Sequence, residues 1–158
     1  MTNRTENHAE EQAAAQYSSI VDMLASVECD YDRLQELRDS AEALEDLTDE
    51  EREELAELEA AAGDCTDEED ARQRIQEDPL SVEVRSDWAS PGEELTAGEF
   101  QILLCTGGPA VRIMGELDGG TPCRAWLEYQ DWGTSWTQYF EARSETLCQY
   151  ASHFFFGG

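Results

Sequence analysis

Lysine is absent from the chain, and its ten permanently positive side chains are all arginines. A P-loop lysine, a Schiff base and a catalytic Ser–Lys pair are therefore excluded. Histidine is nearly absent too: His8 and His153 lie near opposite ends of the chain, and neither belongs to a set of residues with zinc-ligand spacing. We predict no catalytic residue, no metal site and no cofactor.

Long hydrophobic runs are also lacking. No apolar run approaches the roughly eighteen residues that a helix needs to cross a membrane, and the N-terminus carries no secretion signal. The five cysteines form no Cys-x-x-Cys pair, and their odd number is typical of reduced thiols. We expect a cytoplasmic protein that does not contact the membrane.

Positive charge is scarce and unevenly distributed. The 37 acidic residues outnumber the cations and give a net charge of −27. Residues 1–80 hold 26 acids and 6 Arg, whereas residues 81–158 hold 11 acids and 4 Arg. Phosphates would be repelled, which excludes direct binding to nucleic acid. The natural partner is a basic surface, such as the groove in which another protein binds DNA or RNA.

The most acidic stretch is 42–59, EALEDLTDEEREELAELE, with ten carboxylates and one Arg. As a helix it would span about 27 Å, or roughly one negative charge per 3 Å, close to the phosphate spacing of about 3.4 Å along one DNA strand. Like charges four residues apart oppose such a helix, so the charge serves either binding or solubility. The acidic residues that we predict to bind a partner are Glu42, Glu45, Asp46, Asp49, Glu50, Glu53, Glu54, Glu57, Asp67 and Glu68.

Helical periodicity dominates residues 1–78. An apolar stripe runs from His8 to Val27, and Leu34, Leu37, Ala41 and Leu44 form a second one. Capping boxes at Thr48–Glu51 and Thr66–Glu69 each predict a helix start, and the second helix should run through Ile75. Two alternatives remain for 31–62: two helices in a hairpin broken at Thr48, or one long helix that contains Thr48.

After Pro79 the apolar residues alternate with a period of two, as in half-buried strands. Short turns join the segments, which favours an antiparallel meander. Ser144 is expected to cap a terminal helix. The predicted fold is α+β, with an acidic N-terminal helical arm (1–78) followed by an antiparallel sheet domain with a C-terminal helix (79–158). The predicted strands are Leu80–Trp88, Glu99–Cys105, Val111–Leu117, Cys123–Gln130 and Trp132–Phe140.

An aromatic group lies between residues 126 and 140: Trp126, Tyr129, Trp132, Trp136, Tyr139 and Phe140. Such residues form either the core of a small sheet or a docking patch. We favour the core for most of them. Trp126 is out of phase with Leu127 and Tyr129, so we expect it to be exposed and add it to the predicted partner-binding residues. Cys148 and His153 are five residues apart, which puts them on different helix faces and argues against a nucleophilic pair.

Several segments carry a resemblance to a known family: EDPLSVEVRS at 77–86, LLCTGGPAVRI at 103–113, GELD at 115–118, LEYQDWGT at 127–134 and FFFG at 154–157. They resemble a family of small hypothetical proteins carried on proteobacterial plasmids, prophages and integrative elements. The resemblance covers roughly residues 64–158. It implies a mobile-element setting in a bacterial host cell, where small acidic proteins often inhibit host defence as anti-restriction or anti-CRISPR proteins. It carries over no catalytic role.

Two functions follow as expectations. The first is a non-enzymatic inhibitor whose acidic, DNA-mimicking surface occupies the basic groove of a CRISPR effector or restriction enzyme. The second is an interaction or dimerisation module in which charge only gives solubility. Its helical arm would dock, or form a homodimer, through Leu34, Leu37, Leu44, Leu55 and Leu58.

Overall fold

The computed structural model of the protein describes residues 3–43 and 46–156, with side chains from His8 onward. Within these residues the fold is α+β, as predicted: five helices accompany a five-stranded antiparallel sheet. The helices are α1 (Asn3–Glu28), α2 (Tyr31–Glu42), α3 (Asp49–Ala62), α4 (Glu68–Glu77) and α5 (Ser144–Ala151). The strands are β1 (Ser81–Ser86), β2 (Ala97–Cys105), β3 (Ala110–Asp118), β4 (Thr121–Gln130) and β5 (Thr137–Tyr139).

The sheet is a meander with the strand order β1-β2-β3-β4-β5, and every neighbouring pair is antiparallel. Strands β2 and β3 alternate strictly between half-buried and buried residues until the last residue of β3, because one face of the sheet forms the core. Ile113 lies opposite Leu127, and both are fully buried. The predicted meander is therefore confirmed.

Of the described residues, 3–20 and 75–156 form one compact unit. In this unit helix α1 reaches the sheet through Tyr17, whose ring centroid lies 6.5 Å from that of Tyr139. The Tyr17 hydroxyl also accepts a hydrogen bond from the Arg143 backbone N–H. Helix α5 packs on β4 and buries Leu147 and Tyr150. Apolar groups from both helices thus cover the core face of the sheet.

Residues 21–74 form a second compact unit. Asp30 ends the first helical run and caps α2, since its side chain accepts a hydrogen bond from the Arg33 N–H. Leu34 and Leu37 on α2 are buried. The Ser26 hydroxyl donates to the Ala61 carbonyl at 2.7 Å, which joins the end of α1 to the end of α3. The predicted boundary between residues 78 and 79 stays a prediction, because compact packing alone does not define an independent domain.

The connection between α2 and α3 decides one of the open alternatives. Helix α2 ends at Glu42 and α3 begins at Asp49, with Thr48 as its N-cap, so the single long helix over 31–62 is wrong. The two inter-helix ion pairs, Arg33–Glu54 and Arg38–Glu59, both span 21 residues. The structure thus shows the alternative with two helices separated before Thr48.

Three local predictions need correction. Helix α4 is capped one residue later than predicted, since the Asp67 carboxylate, not the Thr66 hydroxyl, accepts the Asp70 N–H. Ser144 is the first residue of α5, and its hydroxyl accepts a hydrogen bond from the Ala125 N–H instead of capping the helix. The predicted strand Trp132–Phe140 shrinks to β5, because Asp131 and Thr134 close a turn before it.

The capping box at the start of α3 gives a direct stability test. The Thr48 hydroxyl accepts from the Glu51 N–H at 3.1 Å, and the Glu51 carboxylate accepts from the Thr48 N–H at 3.2 Å. We expect Thr48→Ala to lower the free energy of unfolding by about 1 kcal/mol, measured by urea denaturation followed by circular dichroism. Thr48→Ser keeps the hydroxyl and should stay near the wild type. An equal loss in both variants would contradict the capping role.

Candidate partner-binding surface

The outward side of α3 carries a row of carboxylates. Glu50, Glu53 and Glu57 recur at intervals of three and four residues, so they share one side of the helix, and all are exposed. Asp49 is fully exposed, and Arg52 reaches it only at 3.8 Å. Among the residues that the structure describes, no cation pairs with Glu50, Glu53 or Glu57. We call Asp49, Glu50, Glu53 and Glu57 the acidic face.

Two other carboxylates of α3, Glu54 and Glu59, tie the helix to arginines of α2. Arg33 donates two hydrogen bonds to the Glu54 carboxylate, at 2.9 and 3.1 Å. These bonds keep the pKa of Glu54 below its ordinary value. Arg38 reaches Glu59 at 3.4 Å. Because both arginines bind Glu54 and Glu59, neither of them pairs with Glu50, Glu53 or Glu57 of the acidic face.

The other acidic residues predicted to bind a partner differ in whether they are already bonded within the chain. Glu42 and Asp46 are exposed at the end of α2 and just before α3, and Glu45 lies outside the described residues. Asp67 caps α4, and Glu68 bonds Arg72 at 2.7 Å within the same helix. Together with Glu54, these two acids are already engaged by the chain itself. The sequence indicated acidity but did not show which carboxylates are paired.

Trp126 belongs to the unit that contains the sheet and is half-buried, not exposed as predicted. Its ring Nε1–H donates to the Glu128 carboxylate at 3.2 Å, and the Arg124 guanidinium lies 5.1 Å from its ring centroid. These contacts hold the side chain against the outer face of the sheet. Trp126 therefore has a structural role within its own unit.

The remaining aromatic residues divide between core and surface. Tyr139 alone of the group is buried; Tyr129 and Trp136 are half-buried, while Trp132 and Phe140 are exposed. The Arg112 guanidinium lies 3.9 Å from the Trp136 ring centroid and bonds the Glu128 carboxylate at 2.7 Å. The preference for core positions is thus wrong for most of the group, because Trp126 lies on the outer face of the sheet and Trp132, Trp136 and Phe140 lie outside the strands.

No family model, curated protein or solved structure matches the chain.

The thiols of Cys29, Cys105 and Cys148 are not activated for nucleophilic attack. Burial raises the pKa of Cys29, Cys105 and Cys148, which is opposite to the change that a nucleophilic cysteine needs. His153 contacts the Gln149 carbonyl through Nδ1 at 3.0 Å. Cys148 and His153 therefore do not show the features of a nucleophilic Cys–His pair.

Within 3–43 and 46–156, no group of three or more His, Cys, Asp and Glu side chains could hold a metal ion. In the same residues, no helix combines the length and the apolar character needed to cross a bilayer. The acidic face is therefore a charged surface for which the described residues provide no metal-binding geometry.

Several exposed apolar residues escaped the sequence analysis. Leu80, Val84, Trp88 and Leu95 are 60%, 49%, 104% and 70% exposed. Alternation along Leu80–Trp88 predicted a half-buried strand, but it could not show that this strand forms an edge of the sheet. An edge strand has a neighbouring strand on one side only, so its apolar side chains are less buried than those of an inner strand.

Proposed function

We propose that the protein is an inhibitor that occupies the basic nucleic-acid groove of a host defence complex, either a CRISPR effector or a restriction enzyme. Its acidic face would take the place of nucleic-acid phosphates. The observation that carries this proposal is the row of exposed carboxylates on α3, which no described cation neutralises. The family resemblance, with its mobile-element setting, supports the choice of a defence complex as the target.

The geometry of α3 suits such a role. From Glu50 to Glu57 the helix rises about 10 Å, a length over which one DNA strand presents about three phosphates. Carboxylates and phosphates both accept paired hydrogen bonds from arginine, so a groove lined with Arg can bind either. Because a cap and two ion pairs already order α3, little conformational freedom is lost on binding.

The energetics of α3 also favour a role for the charge. Glu50 and Glu54, and likewise Glu53 and Glu57, lie four residues apart, where like charges destabilise a helix by a few tenths of a kcal/mol. The arginines of α2 offset this repulsion only at Glu54 and Glu59. A basic groove would relieve the repulsion on the acidic face. Binding would thus be strengthened by an interaction that the free protein lacks.

The alternative function as a docking module through the helical arm has less support. Leu34 and Leu37 are buried within their own unit, and Leu55 and Leu58 are half-buried. Leu44 lies outside the described residues. The described leucines of the stripe therefore already pack within the chain, and replacing them by Ser would destabilise the unit before it tested a partner.

A protection assay tests the proposed inhibition. The protein is expressed in bacteria that carry one defined restriction or CRISPR system, and a targeted plasmid is introduced beside a non-targeted one. We expect the targeted plasmid to be recovered as often as the non-targeted one with at least one system, because the effector cannot reach its DNA. Loss of the targeted plasmid to the same extent with and without the protein, in every system tried, would contradict the proposal.

A further inference from the structure

Strand β1 is an edge strand with an exposed apolar side. Val82 and Val84 lie opposite Ile102 and Phe100, so they point to the core face of the sheet. Leu80 precedes the strand in the same phase, and Trp88 follows two residues after the strand's end at Ser86. Leu80, Val84 and Trp88 are nevertheless 60%, 49% and 104% exposed. The outer edge of β1 also leaves backbone N–H and C=O groups free for another strand.

The order of residues along β1 is self-complementary. If two copies of β1 pair antiparallel with Val84 opposite Val84, then Glu83 of each copy lies opposite Arg85 of the other. Both ion pairs fall on the outer face of the joined sheet, where cross-strand opposite charges stabilise pairing. A pairing centred on Glu83 or on Arg85 would instead put that residue opposite its own copy, with like charges in contact.

The same register matches the exposed apolar residues. Leu80 of one copy comes near Trp88 of the other, just beyond the paired strands. Trp88 lies beside an open groove of about 760 Å³, which Arg85, Asp87, Leu95 and Glu99 also line. The register thus brings the exposed residues Leu80, Val84 and Trp88 into the contact and agrees with the charge order of Glu83 and Arg85.

We propose that β1 is a self-association edge, at which two copies of the chain pair about a two-fold axis through Val84. The occupant of the edge is a second copy because the charge complement of Glu83 is Arg85 of the same strand. Within the chain, Arg85 is already paired with Glu99 of β2, but the Arg85 side chain is 75% exposed, so it can shift between the two carboxylates at little cost.

The net charge of −27 determines how the self-association depends on salt. Two such chains repel one another at low ionic strength, and added salt screens that repulsion. The self-association should therefore tighten as salt rises. Binding of the acidic face to a basic groove should weaken over the same range, so the two interactions are distinguishable.

A charge reversal tests the register. The full-length protein is examined by analytical ultracentrifugation over a range of concentration at high salt, with circular dichroism as a check on folding. We expect a monomer–dimer equilibrium for the wild type and about 30-fold weaker association for Glu83→Arg, because both ion pairs become Arg–Arg contacts. The double variant Glu83→Arg/Arg85→Glu restores opposite charges and should recover most of the association.

Two further results decide the inference. Val84→Lys places two like charges on the axis and should abolish dimerisation, while leaving the exposed edge folded. A wild-type protein that stays monomeric at every concentration and salt would overturn the proposal. A dimer that survives both Glu83→Arg and Val84→Lys would overturn it too, since the copies would then associate through another surface.

Discussion

Replacing Glu50, Glu53 and Glu57 together by glutamine is expected to weaken binding to the target complex by about 100-fold, and to abolish plasmid protection. Each substitution removes a charge that faces solvent without a described cation partner, while it keeps the size of the side chain. The fold should be unaffected, since the loss of like-charge contacts favours the helix slightly. Binding is measured by surface plasmon resonance or calorimetry against the complex named by the protection assay.

A matched variant separates the acidic face from net charge alone. Glu11→Gln, Glu94→Gln and Asp118→Asn remove the same number of negative charges from exposed positions on other elements. We expect this variant to bind within a few-fold of the wild type, because long-range attraction falls off with screening whereas direct contacts do not. Equal loss in the two variants would show that the α3 carboxylates have no special role.

Gly115→Ala should be among the most destabilising single substitutions in the chain. Gly115 lies opposite Phe100 in the sheet, and a Cβ at this position would clash with the Phe100 ring and stand 2.7 Å from the Arg124 carbonyl oxygen. The ring cannot move easily, because it is buried and its centroid lies 4.8 Å from that of Phe156. We expect a loss of about 3 kcal/mol in the free energy of unfolding, which corresponds to a drop of roughly 10 °C in Tm.

The neighbouring turn supplies the control for this substitution. Gly108→Ala adds the same methyl group where no heavy atom lies within 4 Å, and it should change stability little. Phe100→Leu in the Gly115→Ala background should recover part of the loss, because the smaller side chain makes room for the added Cβ. If thermal denaturation gave equal Tm values for Gly115→Ala and Gly108→Ala, the close packing of β2 on β3 would be wrong.

Regular patterns explain which elements could be predicted. The alternation in β2 and β3 reports a sheet with one buried face, and the Thr48 capping box marked the start of α3 correctly. The predicted length of β5 was too great. The aromatic residues around it suggested a strand from Trp132, but Asp131 and Thr134 close a turn there. Local periodicity therefore predicts elements well where one face is uniformly buried, and poorly where turns interrupt it.

The candidate surface could be predicted only in part. A helix over the whole acidic stretch 42–59, with its length of about 27 Å, is wrong, because α2 ends at Glu42 and α3 begins only at Asp49. The exposure of Glu50, Glu53 and Glu57 agrees with a solvated helix side. The pairing of Glu54 with Arg33 could not be seen, because the two residues are 21 apart and meet only once the helices have packed. The free edge of β1 was missed for a similar reason, since a sequence does not show which strand lies outermost.

Mimicry of nucleic acid is tested by capturing the defence complex on the immobilised protein at low and high salt, with duplex DNA as competitor. If the acidic face occupies the nucleic-acid groove, the complex is held at about 0.05 M salt, released at about 0.5 M, and displaced by its own DNA at low salt. A complex that binds the protein and its DNA at once, and stays bound at high salt, would contradict mimicry of nucleic acid.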